Sequence, residues 1–275
     1  MEEQKLEFQF KDRYDLEDLK QVTRILRSEN GCPWDKVQTH QSIRQDFLEE
    51  TLEALEAIDN QDPVLLREEL GDVLFQVVFH AQIEAEQGRF DLADVIHDIT
   101  FKLIHRHPHV FGSIQADTVD QVLKNWDDIK KEEKNQDSYA DTLRAVPKTF
   151  PALMRAQKVQ KRAAKVGFDF ESQQQTWDAL AEETQELKEA VKQQDVSAME
   201  EELGDVLFSV VNLSRFLGLD AEKCLTNAVE KFINRFAKVE FLAVQQQLDL
   251  KQTDHETLES LYQQSKRHLS DNPTD

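Results

Sequence analysis

The most apolar stretch of the chain runs from Val73 to Phe79 and is interrupted only by Gln76. A similar stretch, Val-Leu-Phe-Ser-Val-Val, directly follows Asp205. Both are much shorter than the ~20 apolar residues that a membrane-spanning helix needs. We therefore expect each stretch to form the buried face of a helix, and we expect no membrane segment.

The polar and apolar positions around these stretches predict the same series of helices twice. The predicted helices cover about residues 16–29, 41–59 and 64–87 in the first series and 151–165, 173–193 and 196–217 in the second. In each series a fourth and a last helix follow. The second and third helices are separated only by a short turn, so they should be antiparallel neighbours, and Pro63 suits a helix start. With only 7 Gly and 6 Pro in the chain, the predicted class is all-α.

An internal duplication underlies this repetition. Residues 49–78 and 182–211 align without gaps at an offset of 133 (182 − 49), and 18 of these 30 positions are identical. A length of 275 residues also suggests two domains. We predict two tandem helical-bundle domains, at 1–130 and 151–275, joined by a polar linker at 131–150.

The chain is strongly acidic, with 54 acidic and 33 basic residues and a net charge of -21. Such a charge repels nucleic acid, so we expect no nucleic-acid partner. An anionic substrate would need bound cations or local basic patches. The two cysteines, Cys32 and Cys224, form no disulfide framework and suggest reduced thiols. Because the charged N-terminus does not resemble a signal peptide, we expect a cytoplasmic protein.

Both copies carry the pattern Glu-Glu-x-x-Glu followed by Glu-Glu-x-x-Asp. Residues three apart on a helix share a face, so two carboxylates should project from each helix of the antiparallel pair. The residues predicted to converge are Glu50, Glu53, Glu69 and Asp72 in the first copy and Glu183, Glu186, Glu202 and Asp205 in the second. Four carboxylates at one point repel one another unless a cation binds, and all-oxygen ligation suits Mg²⁺, with Mn²⁺ as a second candidate.

A glutamate-rich helix is more often a solvated face than a metal site. Here the metal site is favoured because the spacing is identical in both copies and because the last aspartate directly precedes the apolar stretch. Gly71 and Gly204 lie inside helices, where glycine costs about 1 kcal/mol relative to alanine, so we expect them to admit a ligand or a close helix. A ferritin-like di-iron site is disfavoured, since it needs Glu-x-x-His pairs that the chain lacks. The histidine-rich segment 105–109 is assigned no metal.

Cationic and aromatic residues also recur in both copies. The candidates for nucleotide binding are Lys102, Arg106, Trp126, Lys231, Arg235 and Tyr262. Each Lys-Arg pair, four residues apart on one helix, is either a solvated or salt-bridged face or a clamp on phosphate oxygens, and duplication favours the clamp. The Trp and the Tyr either pack ordinarily or stack on a nucleobase. A basic strip at 158–165 is either a surface feature or a substrate contact.

Together these motifs resemble the all-α nucleoside triphosphate pyrophosphohydrolases, and the tandem arrangement resembles the MazG family. Supporting segments are 31–40, 106–112 and 161–169. The resemblance implies helical bundles, a homodimer with sites between helices of both subunits, and Mg²⁺-dependent pyrophosphate release. It assigns the acidic residues above as metal ligands and Lys231 and Arg235 as phosphate-binding residues. Tyr262 stands where the family often has Trp.

The expected reaction is hydrolysis of nucleoside triphosphates, NTP and dNTP, to the monophosphate and pyrophosphate by a metal-activated water that attacks the α-phosphorus. Glu182 and Glu201, beside the ligands, are candidates for accepting the water proton. Broad specificity is expected, with house-cleaning of non-standard nucleotides as a candidate role. Three alternatives stay open. One is a narrow substrate such as dUTP or phosphoribosyl-ATP, the second a non-enzymatic nucleotide-sensing module, and the third a chain in which the first copy is structural.

Overall fold

The computed structural model describes residues 8–113 and 138–267, together with residues 118, 121 and 122. Within these residues all regular structure is helical, with eleven α-helices, one 3-10 helix and no strand. This confirms the predicted all-α class. The chain divides into two compact units, residues 1–133 and 134–275.

The described part of the first unit is organised around one long helix. Its elements are α1 Leu16–Arg27, a 3-10 helix Asp35–Val37, α2 Arg44–Asp59, α3 Pro63–Glu86, α4 Leu92–Arg106 and α5 Pro108–Phe111. Helix α3 packs against α1, α2 and α4. Two buried clusters lie along it, one around Phe79 and one around Val78. The core of this unit therefore surrounds the second half of α3.

The second unit repeats this plan. Its elements are α6 Tyr139–Arg144, α7 Ala152–Ala164, α8 Gln173–Gln193, α9 Val196–Phe216, α10 Ala221–Gln245 and α11 His255–Arg267. Helix α9 packs against α7, α8 and α10. Helices α10 and α11 enclose a cluster of Val239, Ala243 and Leu261.

The predicted helical hairpin is present in both units, as α2–α3 and α8–α9. An aspartate caps the second helix of each hairpin, since Asp62 accepts hydrogen bonds from backbone amides of α3 and Asp195 from one of α9. The preceding residues, Gln61 and Gln194, have left-handed backbone with φ of 55° and 58°, which is uncommon outside glycine. The duplication therefore preserved the turn as well as the helices.

The apolar stretch from Val73 to Phe79 lies in the middle of α3, as predicted. Val78 and Phe79 are buried, whereas Leu74 is 43% exposed. One side of the stretch thus lies in the core of its unit and the other does not. Among the described helices, none has the length and apolarity to cross a membrane.

The segment predicted as a linker, 131–150, contains helix α6. This helix packs against α7, and Val146 just after it is fully buried. The Arg162 guanidinium of α7 donates a hydrogen bond to the carbonyl oxygen of Thr142 in α6. The described residues of this segment, 138–150, accordingly belong to the second unit.

Candidate metal centres and nucleotide-binding residues

The first carboxylate cluster lies where α2 and α3 face each other. Glu50 projects from α2, Glu69 and Asp72 project from α3, and carboxylate oxygens of all three lie within 4.8 Å of one another. Glu69 is buried although it is charged. Glu53, the fourth predicted member, lies close enough for its charge to raise the pKa of Glu69. The antiparallel hairpin therefore brings the two carboxylate pairs of the first copy together.

The second cluster has the same origin in α8 and α9. Carboxylate oxygens of Glu183, Glu186 and Glu202 lie within 4.8 Å of one another. Asp205, the fourth predicted member, raises the pKa of both Glu183 and Glu202 through its charge. The three closest residues are not the same in the two copies. Asp72 of α3 belongs to them in the first copy, whereas Glu186 of α8 belongs to them in the second.

Burial and mutual repulsion both act on these clusters. Desolvation, followed by the charges of neighbouring carboxylates, raises the pKa of Glu50 and of Glu69. The same two causes, in the same order, raise the pKa of Glu183 and of Glu202. For none of these four groups is a lysine or arginine of the described residues among the main causes of the shift. A donor set of carboxylate oxygens alone, partly buried and uncompensated, fits a hard divalent cation such as Mg²⁺ or Mn²⁺.

The pKa directions predict how the metal-free protein responds to pH. A carboxyl group whose folded-state pKa is raised adds stability below its unfolded pKa and loses that contribution as the pH rises through the folded pKa. In EDTA at alkaline pH, Glu69→Gln and Glu202→Gln should therefore raise the melting temperature by a few degrees. The advantage over the unsubstituted protein should shrink towards about pH 5, where protonation relieves the same repulsion.

Thermal denaturation in EDTA across this pH range measures the effect. Glu56→Gln, which changes a glutamate of α2 outside the cluster, is the matched control for loss of one negative charge. Variants that melt below the unsubstituted protein at alkaline pH would contradict the proposed repulsion.

Gly71 and Gly204 lie on an open face of their helices. A Cβ atom built at either position would meet no described atom within 4 Å. Among the described residues no helix therefore comes close to these glycines, and the alternative that they admit a ligand stays a prediction. Leu70 and Leu203, next to the glycines, are also exposed.

Glu182 and Glu201, the candidate proton acceptors, are exposed and lie beside the second cluster. Glu182 adds its charge to the repulsion on Glu183, and Glu201 does so on Glu202. Their catalytic role stays a prediction.

The candidate phosphate-binding residues lie on the helix that follows each hairpin. Lys102 and Lys231 are exposed, whereas Arg106 and Arg235 are partly buried. The Nε of Arg235 is buried without a hydrogen-bond partner among the described residues. Helix α10, which carries Lys231 and Arg235, packs against α9, which carries half of the cluster. The phosphate clamp remains a prediction.

Tyr262 on α11 has a clear packing role. Its ring is partly buried against the Val239–Ala243–Leu261 cluster and lies 6.2 Å from the ring of Phe232. The Lys266 ammonium lies 4.8 Å from the centre of the Tyr262 ring. Base stacking by Tyr262 stays a prediction, and Trp126, its counterpart in the first copy, lies outside the described residues.

Helix α10 carries an exposed apolar stripe that was not among the sequence predictions. Leu225, Val229, Phe232 and Phe236 follow one another at helical spacing, and each is more than two-fifths exposed, with Phe232 at 56%. The spacing of i, i+4, i+7 and i+11 was a usable signal, since it places all four on one face. Such an exposed apolar stripe typically marks a contact surface.

Comparison with known proteins assigns this architecture to a family. The family model for the MazG nucleotide pyrophosphohydrolase domain matches residues 38–111 and 171–240, the two segments that contain the carboxylate hairpins. The chain therefore belongs to the MazG nucleotide pyrophosphohydrolase family, with the domain present twice. The resemblance inferred from the motifs is confirmed.

Several relatives match over most of the chain. A nucleoside triphosphate pyrophosphohydrolase of Escherichia coli K12 is 47% identical over 252 residues, which cover 91% of this chain and 96% of the relative. The nucleoside triphosphate pyrophosphohydrolase/pyrophosphatase MazG of Thermotoga maritima is 43% identical over 250 residues, 91% of this chain and 95% of the relative. A nucleoside triphosphate pyrophosphohydrolase of Mycobacterium tuberculosis is 43% identical over 137 residues, 49% of this chain and 41% of the relative.

Proposed function

We propose that this protein hydrolyses nucleoside triphosphates to the monophosphate and pyrophosphate, with the second carboxylate cluster as its catalytic centre. The observation that carries the proposal is the convergence of carboxylates from two antiparallel helices, found in both units. The names and extensive similarity of the relatives support the reaction class. Broad substrate specificity, including non-standard nucleotides, belongs to the same proposal.

In the second unit different residues would bind the metal ion, bind the phosphates and accept the proton. Glu183, Glu186, Glu202 and Asp205 would hold Mg²⁺, or Mn²⁺ in its place. When bound, such an ion supplies a lowered pKa for an attacking water and neutralises negative charge on the phosphates. Lys231 and Arg235, as cations on the adjacent helix, bind phosphate oxygens and offset the charge that grows in the transition state. Glu182 or Glu201 accepts the proton of the water.

In this reaction the water oxygen forms a bond to the α-phosphorus, and the bond between that phosphorus and the bridging oxygen breaks. Pyrophosphate leaves with the bridging oxygen, and the water proton goes to a carboxylate. Hydrolysis in ¹⁸O-labelled water should therefore place the label in the monophosphate. Label in pyrophosphate would instead mean attack on the β-phosphorus.

The products and the substrate range are tested with a set of canonical and modified triphosphates, with dUTP and phosphoribosyl-ATP included. We expect pyrophosphate from several of them, only when a divalent ion is present. Inorganic phosphate with a nucleoside diphosphate would contradict the reaction. Turnover of dUTP or phosphoribosyl-ATP alone would replace broad specificity by a narrow one, and binding without turnover would support a sensor.

We also propose that the protein is a homodimer whose subunits meet along the apolar stripe of α10. A second copy would cover Phe232 and Phe236, which are otherwise in contact with water. Light scattering should give twice the mass of one chain, and Phe232→Glu with Phe236→Glu should give one chain mass. A monomeric unsubstituted protein would contradict this assignment.

We also propose that the protein is cytoplasmic, because its two cysteines are free thiols.

A further inference from the structure

A close histidine pair joins α3 to the segment that precedes α2. The Nδ1 atoms of His40 and His80 lie 2.7 Å apart, and the two rings stack with their centres 5.0 Å apart. The Nε2 atom of His40 lies 2.5 Å from a carboxylate oxygen of Glu84, which is 6% exposed. The Arg89 guanidinium also binds Glu84. None of these residues belongs to either carboxylate cluster.

The hydrogen bonds of this group depend on how many protons the two imidazoles carry. Hydrogen bonds from Arg89 and His40 lower the pKa of Glu84 to about 2, so its carboxylate accepts a hydrogen bond from His40 at any ordinary pH. His40 therefore carries a proton on Nε2. With both rings neutral, the Nδ1–H of His80 donates to Nδ1 of His40. With one added proton, the charged His40 donates to His80 instead.

A second added proton breaks the contact. Both Nδ1 atoms would then carry a hydrogen, and two N–H groups at this distance repel each other. Burial, followed by the charge of His40, lowers the pKa of His80, and the ring of Phe47 on α2 lies 5.6 Å away and offers no counter-charge. The folded contact thus binds one proton fewer than two free histidines do. Its stability must therefore fall as the pH decreases and a second proton binds.

The segment between the 3-10 helix and α2 has few other attachments. The Arg27 guanidinium donates hydrogen bonds to the carbonyl oxygens of Asp35 and Gln38, at 2.7 and 3.2 Å, and is itself held by Glu86 at 2.8 Å. An arginine side chain does not lose its charge in proteins, and the pKa of Glu86 lies below its usual value. Ile43 packs on Phe79. Of the polar contacts described for this segment, the histidine pair is the one made by two imidazoles, the side chain whose charge is most sensitive to pH in proteins.

The second copy lacks the whole group. At the offset of 133, the counterparts of His40, His80 and Glu84 are Gln173, Leu213 and Leu217. Leu213 is buried, and none of the three counterparts carries a group that ionises. At these three positions the second copy therefore cannot give an acid response of this kind, and it serves as an internal control.

We propose that His40, His80 and Glu84 form an acid-releasable latch, which fixes the start of α2 to α3 at neutral pH and frees it when both imidazoles are protonated. Because α2 carries Glu50 and α3 carries Glu69, the latch residues are positioning residues for the first carboxylate cluster. They make the geometry of that cluster depend on pH independently of the second one. This inference rests on the contacts of the first unit and holds whether or not the proposed reaction does.

Hydrogen exchange of the full chain, followed by mass spectrometry, tests the latch. After correction for intrinsic exchange rates, protection of residues 38–47 should fall by roughly 10-fold or more between about pH 7.5 and about pH 5. Protection of residues 171–180 should change much less. Equal responses of the two segments, or no response of residues 38–47, would overturn the proposal.

Two variants separate the latch from a general effect of acid. His40→Gln with His80→Leu and Glu84→Leu installs the residues of the second copy and should remove the pH response of residues 38–47. His80→Gln is milder, because its amide can still donate to His40 but does not titrate, and it should keep protection at about pH 5. A full pH response in His80→Gln would overturn the proposal even if the triple variant failed to fold.

Discussion

Replacing Glu202 by glutamine should lower the rate of pyrophosphate release by roughly 100-fold or more, the scale seen when one group that stabilises transition-state charge is removed. Glutamine keeps the size of the side chain but loses the negative charge that a divalent ion requires. Glu202 is also one of the three closest carboxylates of the second cluster. Circular dichroism should show an unchanged helical fold, so that the loss is not one of structure.

The duplication provides a matched control for this variant. Glu69→Gln makes the same change at the same position of the first copy, and we expect it to leave most of the activity. If Glu69→Gln abolished turnover while Glu202→Gln did not, the catalytic centre would lie in the first copy. If both variants were fully active, the carboxylate clusters would not be the site of the reaction.

Replacing Arg235 by glutamine should lower kcat by roughly 100-fold. The guanidinium carries a fixed positive charge with five donors, which suits phosphate oxygens, and its Nε has no hydrogen-bond partner among the described residues. A phosphate oxygen of a bound nucleotide would supply the missing acceptor for this buried Nε–H donor. Because the effect belongs to the transition state, kcat should fall more than KM rises.

Arg106→Gln is the corresponding change in the first copy and should have a much smaller effect on kcat. Melting temperatures of both variants separate loss of packing from loss of phosphate binding. A rise in KM with unchanged kcat would mean that Arg235 binds substrate without stabilising the transition state. An Arg235→Gln variant with unsubstituted kinetics would remove this residue from the site.

Much of the site could be predicted because its positions follow from helix geometry alone. The three-residue spacing fixes which face of a helix Glu50 and Glu53 share, and a short turn with Asp62 as its cap fixes the partner helix. Convergence of carboxylates in both copies then required no further information. The repetition of the pattern separated it from an ordinary solvated face.

Other features depended on interactions that spacing does not specify. The spacing does not decide which three carboxylates of a cluster lie closest, because this depends on side-chain rotamers. Asp72 is among the closest three in the first copy, and Glu186 is among the closest three in the second. The polar composition of residues 131–150 predicted a linker, whereas helix α6 within it packs against α7 and Val146 is buried. The His40–His80 contact joins residues 40 positions apart, and no local pattern predicts it.

The central claim is that the two clusters bind divalent ions, and electron paramagnetic resonance of Mn²⁺ tests it most directly. With a non-hydrolysable nucleoside triphosphate analogue present, the unsubstituted chain should remove Mn²⁺ from solution. The combined variant Glu50→Gln, Glu69→Gln, Glu183→Gln and Glu202→Gln should leave the Mn²⁺ free. The two substitutions of one copy alone should abolish Mn²⁺ binding in that copy and leave binding in the other copy unchanged. A combined variant that still binds Mn²⁺ with the stoichiometry and affinity of the unsubstituted chain would contradict the account.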